Sequence, residues 1–204
     1  MKTFVIALGL ALITATSAKA VTVANAVQIE KPDRIRNNGV GSNDSILWFQ
    51  EAAGVVARAD VAGRGGTGIQ AGVAYDSFMV FLNRESGRTR TTKSASFLFD
   101  SDIVAVFGNK NGRDLRQTNY VNPETNYRIR NGFGIENGNS GALSGRQDSI
   151  SFTDNALDVT FRVRGGGDWI RVMTVAVVPL PASGAMLPLA LLGLGAIWRT
   201  RRKA

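Results

Sequence analysis

This chain predicts an all-β fold: an antiparallel β-sandwich or jelly-roll-like single domain, flanked by an N-terminal signal peptide and a short C-terminal transmembrane helix. Three observations lead there. Short apolar-rich segments recur along the middle, and residues 156–163 alternate strictly, with Leu157, Val159, Phe161 and Val163 on one face. Clusters of Gly and Asn separate these segments, at 63–68 (GRGGTG), 108–112 (GNKNG), 131–145 and 165–167. No segment shows the apolar spacing of an amphipathic helix, so repeated short strands account best for the pattern.

Taken in order, the chain opens on a targeting segment. Met1, Lys2 and Thr3 form a charged start, residues 4–15 an apolar run, and Ala18-Lys19-Ala20 a small-x-small cleavage site. Residues 1–20 thus read as a signal peptide, passed to the Sec export machinery and removed by signal peptidase after Ala20. About 12 apolar residues are too few for a retained membrane helix. Residues 21–43 form a leader with room for one strand. The sandwich domain is expected over 44–177, with strands at 46–49, 54–61, 73–82, 94–99, 103–107, 156–163 and 169–178.

The last 27 residues, 178–204, differ from the rest. Val178-Pro179-Leu180-Pro181-Ala182 leads into an uncharged 14-residue run, 185–198, which is closed by Arg199, Arg201, Arg202 and Lys203. As a helix that run spans about 21 Å, against a hydrocarbon core of about 30 Å, so it makes a short membrane segment. The basic cluster stays on the cytoplasmic side, which puts the domain across the membrane from it.

These ends also explain the charge. The chain carries 24 cations, 16 anions and a net +8. The signal peptide holds two of the cations and the tail four, with no acid in either, so residues 21–178 carry 18 cations against 16 anions, a net of +2. The basic balance therefore belongs to targeting, and nucleic-acid binding loses its support. Arg84, Arg88, Arg90 and Lys93 read as a solvated loop between two strands. There is neither His nor Cys, which excludes Ser-His-Asp and Cys-His catalysis, the usual zinc sites and any disulfide. The remaining length suffices for one domain with its own core.

Few residues carry chemistry. Gly63, Gly65 and Gly68 match the dinucleotide-binding spacing, but a strand rather than a helix is expected after them, so they read as a hairpin loop. Asp100 and Asp102 are the carboxylate pair that a histidine-free hydrolase would need, or else a polar turn. Asn109, Asn111 and Asp114 surround a glycine and offer oxygen ligands for calcium, with Lys110 and Arg113 opposing it. Tyr120 and Tyr127 flank Pro123 in an Asn-rich loop and are the candidate sugar contacts, whereas Trp48 and Trp169 lie in strand-like runs and read as core.

The tripartite tail (residues 178–182, the apolar run, the Arg-rich end) resembles the VPLPA variant of the PEP-CTERM sorting signal. In the commoner form Glu stands between the two prolines, where this chain has Leu180. The resemblance implies export by a Gram-negative bacterium and processing by an exosortase, a membrane-embedded cysteine transpeptidase. The middle of the chain is similar to a recurrent domain of such proteins. Tyr75-Asp76-Ser77-Phe78, Phe97-Leu98-Phe99-Asp100, Gly134-Ile135-Glu136 and Asp168-Trp169-Ile170-Arg171-Val172 carry that likeness, in that order. It implies a β-sandwich. The expected role is then a non-catalytic protein sorted to the cell surface or extracellular matrix. A carbohydrate-binding module for exopolysaccharide is the second reading, and an acid-residue hydrolase the third.

Overall fold

The structure is a computed structural model that describes residues 21–35, 40, 44–63, 65–83, 90–108, 113–127, 148–163 and 167–176. The signal peptide, the whole sorting tail, Asn109, Asn111 and residues 134–136 lie outside the described residues.

Two sheets face each other. The four-stranded sheet has the order β1-β6-β10-β9, built from Thr22–Ala24, Thr91–Leu98, Ala156–Val163 and Ser149–Thr153. The five-stranded sheet has the order β2-β4-β5-β11-β7, from Ala26–Gln28, Ile46–Val56, Ala74–Asn83, Gly167–Val175 and Ile103–Phe107. A two-stranded pair joins β3 (Arg34–Ile35) to β8 (Asn126–Tyr127). Helix α1 (Arg113–Gln117) and a 3-10 turn (Asn119–Val121) sit between β7 and β8. The all-β expectation holds, in the form of a two-sheet sandwich.

Alternation places the core. In β10, Leu157, Val159, Phe161 and Val163 are buried, and they meet Ile46, Trp48, Phe78, Val80, Ile170 and Val172 from the other sheet. Trp48 packs edge-on to Phe97, and Phe78 lies 4.9 Å from Phe99 between ring centroids. The outward face of the four-stranded sheet is polar, with Ser94 bonded to Thr160 at 2.7 Å across β6 and β10.

The five-stranded sheet has no such wet face. Its second side carries Leu47, Phe49, Met79, Phe81, Phe107, Trp169 and Met173, buried beneath Ile35, Leu115, Val121 and Ile69. That is why β5 and β11 are buried along nearly their whole length instead of on alternate residues.

Three details depart from expectation. The leader carries three short strands instead of one, and they are part of the fold: β1 pairs with β6, β2 runs parallel to β4, and β3 runs parallel to β8. Each is only two or three residues long, too short for a period to show. The strand expected at 46–49 continues to Val56 with two irregularities, where Gly54 takes φ +62°, and of the strand expected at 54–61 only 54–56 belong to it. Strand β9 was not expected from its Ser- and Thr-rich sequence, yet it pairs with β10 through the turn at Asp154, whose φ is +51°.

Candidate functional site

The candidate residues fall at separate places. Asp100 and Asp102 are exposed on the turn that carries the chain from one sheet to the other. The Asp102 carbonyl accepts the Val175 amide at 3.1 Å. Asp114 is buried, and its carboxylate accepts the Gly108 amide at 2.7 Å and the Leu115 amide at 2.8 Å, which ties α1 to the end of β7. Among the described residues no group of three or more acidic side chains is placed to hold a metal ion.

Tyr120 is half-buried against the second face of the five-stranded sheet. Its hydroxyl accepts the Arg58 backbone amide at 3.2 Å, and the Arg58 guanidinium carbon sits 5.1 Å from its ring centroid. Tyr127 pairs by its backbone with Ile35, and its side chain lies outside the described residues. Trp48 and Trp169 are core residues, as their positions in strands implied.

The glycine-rich loop has a structural task. Gly68 donates its amide to the Val104 carbonyl at 3.0 Å, so the loop covers β7, the edge strand of the larger sheet. Gly66 has φ +77°, and a Cβ there would lie 2.3 Å from the Val104 oxygen. Only a glycine permits that approach. The chain then makes a bridge from Val61 to Ile69 and runs into β5 with no helix, so the phosphate-binding context is absent.

The feature that sequence reasoning missed is a buried polar cluster on the second face of the five-stranded sheet. Arg171 Nε donates to Glu51 Oε2 at 2.6 Å and Nη2 to Glu51 Oε1 at 2.8 Å, with both side chains wholly inaccessible. Ser77 donates its hydroxyl to the same Glu51 oxygen at 2.6 Å. Arg171 Nη1 reaches out of the sheet to Thr118 Oγ1 at 2.6 Å and to the Leu115 carbonyl at 3.3 Å. The guanidinium thus fastens α1 and the 3-10 turn onto β4, β5 and β11. Two of these residues, Ser77 and Arg171, belong to the segments on which the resemblance of the middle domain rests. Nearby, Asp76 accepts the Gly54 amide at 2.8 Å and holds the irregularity in β4.

No family model, curated protein or solved structure matches this chain.

An open recess of about 450 Å³ lies where β2 parts from β4, and Gln28, Ile29, Glu30, Lys31, Phe49 and Gln50 line it. The side-chain nitrogen of Gln50 is buried without a hydrogen-bond partner among the described residues. Lys31 is held to Glu124 at 2.6 Å, and that ammonium keeps the Glu124 carboxyl below its ordinary value of 4.5. Among the described residues no helix is long and apolar enough to cross a membrane.

Proposed function

We propose that this chain is a non-catalytic exported protein, delivered to the cell surface or extracellular matrix of a Gram-negative bacterium by exosortase-type processing of its C-terminus. The observation that carries the reading is the tripartite tail: Val178-Pro179-Leu180-Pro181-Ala182, the apolar run 185–198, and Arg199, Arg201, Arg202 and Lys203.

Intact-mass analysis of the protein from its own host, with and without a working exosortase, tests it. The expected product starts near Val21 and ends near Pro181, and it forms only when the exosortase is present. A product that keeps Arg199 to Ala204 in both strains would remove the sorting reading.

A second reading is supported by the groove at β2 and β4. Its mixed lining, with Gln28, Glu30, Lys31 and Gln50 beside Ile29 and Phe49, suits a hydroxylated ligand such as exopolysaccharide. Affinity electrophoresis in gels containing the host polysaccharide tests this. Retardation that disappears in Gln50→Ala supports a carbohydrate-binding module, and unretarded migration of the native protein rejects it.

A further inference from the structure

The sandwich has two ends, and its exposed large aliphatic side chains gather at one of them. Val56 is 55 % exposed, Val73 38 %, Leu98 48 % and Val175 43 %. Pairing places them together. Val56 pairs with Ala74, which follows Val73, and Val175 pairs with Tyr75 one step along β5. The Val175 amide reaches the Asp102 carbonyl, and Asp102 lies in the turn that begins just beyond Leu98. Leu98 in turn pairs with Ala156 beside the β9–β10 turn, and that turn accepts the Ile103 amide through the Asp154 carbonyl at 2.8 Å. The other exposed large aliphatic among the described residues, Val27, pairs with Leu47 opposite Phe81. That is six residues along β5 from Tyr75, about 20 Å away at strand rise. Single exposed aliphatics are ordinary on a protein surface, and a cluster at one end is not.

The described chain stops at this same end. Ala176 is buried, with its amide on the Ala74 carbonyl at 3.2 Å, and it is the last described residue. The apolar run begins at residue 185, nine steps later. Nine extended residues reach at most about 32 Å.

We infer that this end of the sandwich is a membrane-contact surface: Val56, Val73, Leu98 and Val175 rest on the lipid interface into which the tail inserts. The inference concerns the chain before its tail is removed and rests on the sorting-tail reading, since the tail is what brings the lipid near. The short tether keeps the exit end facing the bilayer, and the strand ends there offer aliphatic side chains where, among the described residues, the opposite end offers no comparable group. Asp100, Asp102 and Asp154 are exposed on the adjoining turns, so the surface suits neutral headgroups and repels anionic ones.

The absence of cysteine makes the test direct, because each introduced thiol is unique. Full chains bearing Val73→Cys, Leu98→Cys, Val27→Cys or Leu191→Cys carry an environment-sensitive fluorophore and are reconstituted in phosphatidylcholine vesicles. Nitroxide-bearing lipid is then added as quencher. Loss of fluorescence at 191, 73 and 98 with none at 27 is the expected result. Quenching at 191 alone overturns the contact surface and leaves the anchored tail intact. No quenching at any position overturns both the anchor and the surface. If a nitroxide on the tail quenches 73 and 98 while nitroxide lipid does not, the tail covers this end and the inference fails. Retained tryptophan emission from Trp48 and Trp169 confirms that each labelled chain is folded.

Discussion

Replacing Arg171 tests the account of the five-stranded sheet most severely. Arg171→Ala removes two bonds to Glu51, one to Thr118 and one to the Leu115 carbonyl, all inside the protein. Glu51 keeps the Ser77 hydroxyl but loses its counter-charge at a site with no solvent access. Breaking one partner out of a buried pair costs about 3–5 kcal/mol, because an uncompensated charge is left behind. Domains are stable by about 5–15 kcal/mol in total, so this single change approaches complete unfolding. With a urea dependence of about 2 kcal/mol per molar, the midpoint falls by roughly 1.5–2.5 M. Trp48 and Trp169 are both buried, so tryptophan emission during urea titration reads the transition. The companion variant is Arg171→Met with Glu51→Leu. It removes both charges and keeps the volume, and it is expected within about 2 kcal/mol of the native protein. An Arg171→Ala midpoint within experimental error of native would refute the reasoning. A double variant as unstable as the single one would show that packing, not the stranded charge, sets the cost.

Three further outcomes follow from particular contacts. Gly66→Ala places a Cβ against the Val104 oxygen at a positive φ, lifts the loop from the β7 edge and costs about 1–3 kcal/mol, read as a lower urea midpoint with increased light scattering on storage. Asp114→Ala strips the Gly108 and Leu115 amides of their acceptor and costs about 1.5–3 kcal/mol, with hydrogen exchange rising at those two amides first. Glu124 has its carboxyl lowered by Lys31, so its contribution is present above the ordinary glutamate value of 4.5 and is lost as pH falls through the lower folded value. Unfolding midpoints of Glu124→Gln and the native protein measured between neutral and strongly acidic pH are therefore expected to differ at neutral pH and converge in acid. A constant difference would contradict the pairing.

Much of this arrangement was legible before any coordinates. The period of two in residues 156–163 named the inward face of β10 correctly, because side-chain direction along a strand is a local property. The expectation that the glycine spacing at 63–68 marks a loop needed only the strand that follows. Tyr120 was less readable: its loop left exposure and packing both open, and the approach of Arg58 from 62 residues away shows how the ring packs. Nothing local to Asp114 announces its bond from the Gly108 amide.

By itself, the sequence determined the all-β class and the alternating strands, and it carries the pattern at both ends on which the proposed sorting rests. Those properties depend on neighbours a few residues apart, on apolar length and on the sign of clustered charge. Tertiary structure alone decided that the larger sheet is buried on both faces, that the leader contributes strands to both sheets, and that Glu51 meets Arg171 across 120 residues. A buried charge carries no local signature. Its partner is chosen by the register of strands that are distant in sequence, and the low dielectric around the pair then makes that choice costly to undo.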